Sequence, residues 1–365
     1  MAGNPYIKYF SKRGKESSER TRDIFVVNPT AAPSRTKETS SHIHVFDFTA
    51  NFLNETEHPL TEECYSYKEN GHISWINIGG IIKEDVEKIC SHFDIHYLIV
   101  EDILSINQRP KMDDMDTVLF CLLNMLYFNE TTGAVETEQI SILLGKDYVI
   151  SFQEDSSRDV FDSIREKLRL SSSKLRQSGA DYLCYALLDM IVDHYYIVME
   201  KLGERIEILE EEIIRFSNTN SISDINSLRK EMIVLKRNVA PVRELVNGFI
   251  RSDSDLLEER NTKYFKDVYD HIVQANDLAE NYRDMMINLQ DLYLSNVNLK
   301  MNEVMKVMAI VTCLLAPATV IGGIFGMNFD RIPTLHNEYG FFSAVAFMIV
   351  IPLWMLFTFR KRGWF

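Results

Sequence analysis

The longest uncharged stretch of the chain runs from Val307 to Phe329 and constrains the protein more than any other feature. A helix rises about 1.5 Å per residue and the hydrocarbon core of a bilayer is about 30 Å thick, so roughly 20 apolar residues cross it. A second uncharged run, from Tyr339 to Phe359, follows closely. The sequence therefore predicts two transmembrane helices joined by a short loop, with all upstream residues attached to them.

The charges beside these two runs indicate the orientation of the chain. Lys300 and Lys306 precede the first run, and the basic segment 360–365 follows the second, whereas the loop between them has a single basic residue, Arg331. Basic flanks stay on the cytoplasmic side of a membrane. No apolar stretch follows the basic residues near the N-terminus, so no secretory signal is predicted. The sequence therefore predicts a protein of the cell (inner) membrane. Both of its termini are expected on the cytoplasmic side.

The overall composition limits the classes of function. The chain has 53 acidic and 39 basic residues and a formal net charge of -14. This balance disfavours nucleic acid as a partner and makes cations plausible ones, although acidity also serves solubility. Five cysteines without Cys-x-x-Cys spacing indicate reduced thiols. The sequence shows no phosphate-binding glycine loop and no zinc-ligand pair, so an enzyme is not expected.

The first part of the chain alternates strand-like runs with helical patterns, which predicts an α/β domain. Two of the strand-like runs flank Gly145-Lys146-Asp147 and are expected to pair as a hairpin. The strand-like runs are His42–Phe48, Ile73–Ile78, Thr117–Phe128, Gln139–Leu144 and Tyr148–Gln153, and the helical ones are Lys83–Phe93, Tyr97–Ile106 and Ser157–Leu170.

The chain then becomes wholly helical. Two heptad stripes, at 202–216 and 225–242, surround a polar break at 217–221 and predict an antiparallel helical hairpin. No proline or glycine occurs between Phe249 and Ala316, so a third helix, capped at Ser252 or Ser254, is expected to continue into the first span. A helix of that length needs partners, most simply copies of itself.

These patterns divide the chain into eight predicted segments. They are a flexible arm (1–40), a cytosolic α/β domain (41–170), a helical hairpin region (171–252), a stalk helix (253–303), a first transmembrane helix (304–328), an extracytoplasmic loop (329–338), a second transmembrane helix (339–359) and a basic cytosolic tail (360–365).

The first span carries a stripe of small or weakly polar residues at intervals of three or four. Such a stripe suits either tight helix packing, which is the more common case, or the lining of a narrow pore. Gly326-Met327-Asn328 ends the span, and glycine and asparagine are also common where helices end. The stripe consists of Asn302, Met305, Ala309, Thr312, Ala316, Thr319 and Gly323.

Several segments of the sequence resemble the CorA-type magnesium transport proteins, in the order found in that family. The resemblance extends from about residue 40 to the basic C-terminus. The segments are Glu101-Asp102-Ile103-Leu104, Gln108-Arg109-Pro110-Lys111, Tyr264 to His271, Asn302 to Val307, and Phe325-Gly326-Met327-Asn328.

The resemblance implies an α+β membrane protein: a funnel-shaped homopentamer with a cytosolic α/β domain, a long helical stalk and a pore lined by the first spans. It implies a channel for Mg²⁺, with Co²⁺ and Ni²⁺ as further candidates, that intracellular Mg²⁺ closes. The implied site residues are Gly326, Met327 and Asn328 as selectivity filter, Asn302, Met305, Met308, Thr312 and Thr319 as pore lining, Asp102 and Asp267 as an intersubunit cation sensor, and Glu101 and Asp189 beside it.

The implied roles are chemically consistent. Mg²⁺ loses its water reluctantly, so a ring of Asn328 amide oxygens would hold a hydrated ion. Rings of Met305 and Met308 would be apolar constrictions that dewet when narrow. Thr334 and Ala316 stand where relatives often have a glutamate and a large apolar residue. Two alternatives stay open: a zinc-transporting relative, and a signalling or scaffold protein with a two-span anchor.

Overall fold

The computed structural model describes residues 41–106, 108–115, 117–215, 219–327 and 339–364. The predicted arm 1–40 and the predicted loop 329–338 lie outside these ranges. The chain forms two compact units. One comprises residues up to Glu212 together with Asn218–Gln290, and the other comprises Ile213–Ser217 together with Asp291–Phe365.

The first unit contains a seven-stranded mixed sheet in the order β2-β1-β3-β7-β6-β5-β4. All neighbouring strands are antiparallel except β3 and β7, which run parallel with Trp75 beside Val149. The strands are β1 (His42–Phe48), β2 (Leu53–Glu57), β3 (Ile73–Gly79), β4 (Lys111–Met115), β5 (Val118–Asn129), β6 (Ala134–Leu144) and β7 (Tyr148–Gln153).

The central strands are buried along nearly their whole length, which explains their continuous apolar sequence. All six residues of β7 are buried, as are the first nine of β5. On one face, α1 (Lys83–His92) and α2 (Tyr97–Leu104) contribute Ile89 and Ile103 to an apolar cluster that includes Phe152. A buried aromatic group elsewhere includes Trp75, which stacks on Phe46 and donates to Ser151 Oγ at 2.9 Å.

The structure confirms the predicted strands and the predicted hairpin. The Gly145 amide donates to the Tyr148 carbonyl at 2.9 Å. A Cβ atom at Gly145 would lie 2.3 Å from the Tyr148 ring, so the turn needs glycine for space. The sequence analysis missed two strands, β2 and β4, because both are polar and lie at the two edges of the sheet.

Four α-helices lie between the sheet and the long helix that enters the second unit. A short helix, α3 (Asp162–Arg169), leads to α4 (Ala180–Arg215), α5 (Thr219–Val239) and α6 (Val242–Arg251). The residues of both predicted heptad stripes are buried wherever the structure describes them. Tyr195 of α4 donates to the Asn124 carbonyl of the sheet at 2.7 Å, so the buried face of α4 is tied to β5 by a hydrogen bond as well as by packing.

The long helix α7 (Thr262–Phe325) has 64 residues and begins later than the sequence predicted. Ser252 instead ends α6, with its amide bonded to the Gly248 carbonyl at 2.9 Å. The buried Asp181 carboxylate accepts hydrogen bonds from the Glu258 amide at 3.0 Å and from Asn261 Nδ2 at 2.9 Å. The predicted cap was therefore wrong, because these tertiary bonds stabilise a turn where the local sequence favours helix.

The second unit contains the C-terminal part of α7 and the helix α8 (Gly340–Lys361). Both helices are long and apolar enough to cross a membrane. Each contains an 18-residue segment with a mean hydropathy of 2.2, and only 6% of that segment is buried. Pro317 and Pro352 lie inside the two helices. The apolar side chains thus point outward, as expected for helices whose solvent is lipid or another subunit.

All five cysteines are free thiols. Cys64, Cys90, Cys121 and Cys184 are buried in the first unit, and Cys313 is exposed on α7. Burial raises the pKa of Cys64 and of Cys90 to about 12.

Candidate cation-binding and pore residues

Two carboxylates and one imidazole come together between α4 and α7 in the first unit. Asp189 and Asp193 are four residues apart on α4, so they share one helix face. With His271 of α7, they place one ligand atom each within 4.8 Å of one another. We call these three residues the carboxylate–imidazole cluster.

Asp189 is the member of this cluster with a buried carboxylate oxygen that lacks a hydrogen-bond partner. Its Oδ1 is buried without a hydrogen-bond partner, as is His271 Nδ1, and the two atoms are 3.9 Å apart. Its other oxygen, Oδ2, accepts from Tyr185 Oη at 3.3 Å. Burial, and then the negative charge of Asp193, raise the pKa of Asp189 against the opposing effects of Tyr185 and His271. A divalent cation placed here would satisfy both atoms and offset the repulsion.

Asp267, the predicted sensor residue on α7, lies one helical turn before His271. Its charge contributes to the raised pKa values of both Asp189 and Tyr185, so it acts electrostatically on the cluster within one chain. The Asp267 side chain is exposed. The structure thus places Asp267, one of the two predicted sensor residues, close enough to act electrostatically on Asp189, which was predicted for the adjoining site.

Asp102, the other predicted sensor residue, already has a cationic partner. Lys111 Nζ lies 2.6 Å from Asp102 Oδ2 and 2.9 Å from Asp113 Oδ2. Burial alone would lower the pKa of Lys111, but its hydrogen bonds to these two carboxylates raise it. Glu101 is exposed on α2. Among the described residues, neither Asp102 nor Glu101 belongs to a group of three metal-ligand side chains.

The predicted pore residues lie on one side of α7. Since a helix turns about 100° per residue, Asn302, Met305, Met308, Thr312 and Thr319 occupy an arc of roughly 120°. All five are exposed in the single chain. The two hydroxyls bond within the helix, Thr312 to the Met308 carbonyl at 2.8 Å and Thr319 to the Leu315 carbonyl at 3.0 Å. The hydroxyl protons of these two threonines are therefore used within the helix.

The predicted filter is described only in part, because Asn328 lies outside the described residues. Gly326 follows the last residue of α7 and its amide donates to the Gly322 carbonyl at 2.9 Å, as in a continuing helix. Its φ is not positive, so Gly326 does not adopt the left-handed conformation in which glycine often ends a helix. A Cβ atom there would nevertheless lie 3.1 Å from the Gly322 oxygen, which is a tight contact.

Sequence reasoning missed two members of the carboxylate–imidazole cluster, Asp193 and His271. Each stands four residues after a residue of the predicted cation sites on the same helix, Asp193 after Asp189 and His271 after Asp267. This spacing was a usable signal, since side chains at i and i+4 share a helix face. The contact between α4 and α7 that joins the two pairs was not visible in the sequence.

The two apolar helices and the α/β unit define the class of protein: a membrane protein with two C-terminal spans and a substantial non-membrane body. A sequence profile described as CorA-like Mg²⁺ transporter protein matches residues 70–361. The chain therefore belongs to the CorA-like Mg²⁺ transporter family.

Relatives with known names agree with this assignment. The cobalt/magnesium transport protein CorA of Thermotoga maritima is 36% identical over 323 residues, covering 88% of this chain and 92% of that protein. The putative metal ion transporter YfjQ of Bacillus subtilis is 32% identical over 314 residues, covering 85% and 96%. Both alignments extend over most of each chain, so the similarity is not limited to one domain.

Solved structures share the fold. The complete CorA magnesium transporter from Methanocaldococcus jannaschii has a TM-score of 0.73 at 22% identity, covering 88% of this chain and 98% of that one. The ZntB cytoplasmic domain from Vibrio parahaemolyticus has a TM-score of 0.53 at 18% identity, covering 70% and 98%. At such identities the likeness concerns the fold alone, and it does not distinguish one transported ion from another.

Proposed function

We propose that this chain is a subunit of an ion channel that admits Mg²⁺ to the cell down its electrochemical gradient. The observation that carries the proposal is the 36% identity, over 88% of the chain, to a protein named for cobalt and magnesium transport. The family match includes both apolar helices, so the membrane part is shared as well. Co²⁺ and Ni²⁺ are further candidate cargoes. Transport down this gradient needs no ATP. The similarity to named transport proteins also disfavours the alternative of a signalling or scaffold protein with a two-span anchor.

The channel is a symmetric ring of identical subunits, five in number as the family resemblance implies. Two helices of one chain cannot enclose an aqueous path, and closed rings are the usual solution for identical subunits. The exposed arc of Asn302, Met305, Met308, Thr312 and Thr319 supplies a surface that needs neighbours. The ring lies in the cell membrane with the basic C-terminal flank, and hence both termini, in the cytoplasm.

Selection takes place at the outer end of the first span. Five Asn328 side chains would present amide oxygens to a hydrated Mg²⁺, which keeps its water more firmly than larger ions do. Below them, the Met305 and Met308 side chains, both exposed on α7, would form narrow apolar rings. Such rings exclude water when they close, which stops conduction.

Intracellular Mg²⁺ closes the channel by binding carboxylates of the first unit. The support is the unsatisfied Asp189 Oδ1 and the raised pKa of Asp189, to which Asp193 and Asp267 both contribute. A divalent ion that binds the closed arrangement better than the open one shifts the equilibrium towards closure. Asp102 of a neighbouring subunit would complete the site, after exchange of its ion pair with Lys111.

The transport proposal is tested by uptake of Mg²⁺ into cells or vesicles that contain the full chain. Asn328→Ala is expected to abolish the preference for Mg²⁺ over monovalent ions. The control is Asn288→Ala, which removes an exposed asparagine of α7 that lies upstream of the span and off the arc of pore residues, and it should transport normally. Unchanged selectivity in Asn328→Ala would show that the filter is elsewhere.

The same assay separates the magnesium channel from the zinc-transporting alternative. Currents carried by Mg²⁺, Co²⁺, Ni²⁺ and Zn²⁺ are compared at equal activity. A channel of the proposed kind conducts Mg²⁺ at least as well as Zn²⁺. A protein that conducts only Zn²⁺ would overturn the choice of ion while leaving the family assignment intact.

The regulatory proposal is tested by recording currents while the internal Mg²⁺ concentration is raised. Asp267→Asn and Asp102→Asn are each expected to move inhibition to higher Mg²⁺, with ion selectivity unchanged. Asp284→Asn is a matched control, because Asp284 is also an exposed aspartate on α7. Inhibition at the wild-type concentration in both test variants would rule out these residues as the sensor.

A further inference from the structure

A second group of metal-ligand side chains lies in the α/β part of the first unit, on the two outermost strands at one edge of the sheet. His44 on β1, with Glu55 and Glu57 on β2, place one ligand atom each within 4.8 Å of one another. We call these three residues the edge cluster. His44 is half-buried, and Glu57 is mostly exposed, with 66% of its side chain accessible. None of the three belongs to a segment that carries the family resemblance.

The pairing of β1 with β2 explains why these side chains meet. His44 is directly opposite Glu57 in the antiparallel register, and Glu55 lies two residues before Glu57 on β2. All three side chains therefore project from one face of the sheet. The backbone hydrogen bonds between β1 and β2 therefore fix the Cα positions of the three residues relative to one another. A ligand set held in this way by two paired strands is largely preorganised.

Two further histidines extend the group. His42 is two residues before His44 on β1, so it shares the face of His44. His58 follows Glu57 with a φ of 56°, an uncommon conformation for a histidine, and its ring lies 5.5 Å from that of His42. His42, His44, His58 and Glu57 all line one cavity of about 330 Å³. Three imidazoles and a carboxylate thus face the same space.

The spacing of the edge cluster fits an ion of first-row transition-metal size. His44 Nε2 is 3.0 Å from Glu55 Oε1 and 4.0 Å from Glu57 Oε1. Ligands about 2.0–2.2 Å from a tetrahedrally coordinated metal are roughly 3.3 Å from each other. The two observed separations lie on either side of that value, so an ion can enter between these atoms with small side-chain rotations.

The charges around the edge cluster also permit a cation. Arg169 holds Glu55 through hydrogen bonds of 2.6 and 3.0 Å, and so offsets one of the two negative charges. Arg165, which lines the same cavity, forms ion pairs with Asp159 and Asp162. The two glutamates with Arg169 therefore leave one net negative charge at the position that an ion would take.

We propose that the edge cluster, with His42 and His58 beside it, is a binding site for a divalent transition-metal ion such as Co²⁺, Ni²⁺ or Zn²⁺. Imidazole nitrogen suits these ions, whereas Mg²⁺ prefers an all-oxygen octahedral shell and retains its water. The site distinguishes transition metals from Mg²⁺, and it shares no residue with the carboxylate–imidazole cluster or with the spans. It does not depend on the channel proposal.

The experiment is a titration of the purified full chain in detergent with Co²⁺, followed by visible absorption and by calorimetry. The His271→Ala background removes the imidazole of the carboxylate–imidazole cluster, and a large excess of Mg²⁺ occupies oxygen-only sites. One Co²⁺ per chain is expected to bind under these conditions, with the absorption of a nitrogen-ligated ion. Displacement of that Co²⁺ by Mg²⁺ would overturn the proposal.

Two variants locate the site in the same background. His44→Ala is expected to weaken Co²⁺ binding at least about tenfold. Glu57→Gln, at an exposed position that tolerates substitution, is expected to weaken it in the same direction and guards against misfolding of the first variant. His96→Asn is the control, because it removes an imidazole from the start of α2 but retains a capping side chain. Equal affinity in all three variants would overturn the assignment.

Discussion

The sheet of the first unit and the helix pair of the second bury their apolar side chains to opposite extents. Trp75, at the centre of β3, is fully buried against Phe46 and Phe161. Trp354, in the middle of α8, has 67% of its surface exposed. Both tryptophans belong to strongly apolar segments, yet the described residues of the chain cover only the first.

This difference shows which parts of the chain are self-sufficient. In the sheet, the backbone N–H and C=O groups form hydrogen bonds between the seven strands, and helices of the same unit cover its apolar faces. The spans satisfy their backbone internally as helices do, but their side chains need lipid or other subunits. Three predictions test the contrast, in order of decreasing effect.

The largest expected effect is on the mass of the particle. The full chain in detergent should sediment as a ring of several subunits, whereas a fragment that ends at Gln290, and so lacks residues 291–365, should associate only weakly. The reason is that the exposed apolar side chains are concentrated beyond that residue. Mass is measured by light scattering corrected for detergent. A monomeric full chain would contradict the contrast directly.

Next in size is a pair of identical substitutions at the two tryptophans. Trp75→Ala should lower the free energy of unfolding by about 3–5 kcal/mol, because it leaves a cavity and removes the buried hydrogen bond from Trp75 Nε1 to Ser151 Oγ. Trp354→Ala should cost less than about 1 kcal/mol in detergent, since the side chain exchanges one apolar environment for another. Chemical unfolding followed by circular dichroism measures both. Equal losses would mean that α8 is covered as fully as the sheet.

The smallest expected effect concerns a buried carboxyl group of the sheet. Burial raises the pKa of Glu138 to about 7, although it accepts hydrogen bonds from the Asp155 amide and Tyr127 Oη. The folded protein therefore retains this proton at pH values where the unfolded chain has lost it. The raised pKa of Glu138 therefore contributes at most about 3 kcal/mol to the free energy of unfolding. This contribution is fully present below about pH 4.5 and is lost as the pH rises through 7.

Comparison with Glu138→Gln isolates this contribution. The stability of the wild type relative to the variant should fall between pH 5 and pH 8, as measured by unfolding at several pH values. Glu136→Gln is the neighbouring control; Glu136 pairs with Arg158 near the surface, and its variant should retain the wild-type dependence on pH. A Glu138→Gln variant with the same pH dependence as the wild type would show that Glu138 titrates normally.

The sequence predicted those elements whose pattern is set by burial or by membrane length. The strands β5, β6 and β7 were predicted because nearly continuous apolar runs are typical of buried strands. The edge strands β2 and β4, with sequences LNETE and KMDDM, lacked that pattern. The start of α7 was wrong because the hydrogen bonds of Asp181 come from a residue far away in the chain.

The candidate sites divide along a similar line. The filter and pore residues were predicted from short contiguous motifs, and their roles stay predictions, since Asn328 lies outside the described residues. Asp193 and His271, by contrast, join the candidate carboxylate–imidazole cluster only through the contact between α4 and α7. The edge cluster likewise depends on which residue of β2 faces His44, a register that the amino-acid sequence did not reveal.

The distribution of the cysteines gives the protein a natural labelling position. The four thiols of the first unit are buried, and the high pKa values of Cys64 and Cys90 further suppress the reactive thiolate. Cys313 instead faces the apolar groove between the two spans, beside Pro317 and Ile351. A small apolar thiol reagent would therefore attach a fluorophore or spin probe to the first span of the unmodified sequence. No cysteine would have to be removed before the movement of that helix could be followed.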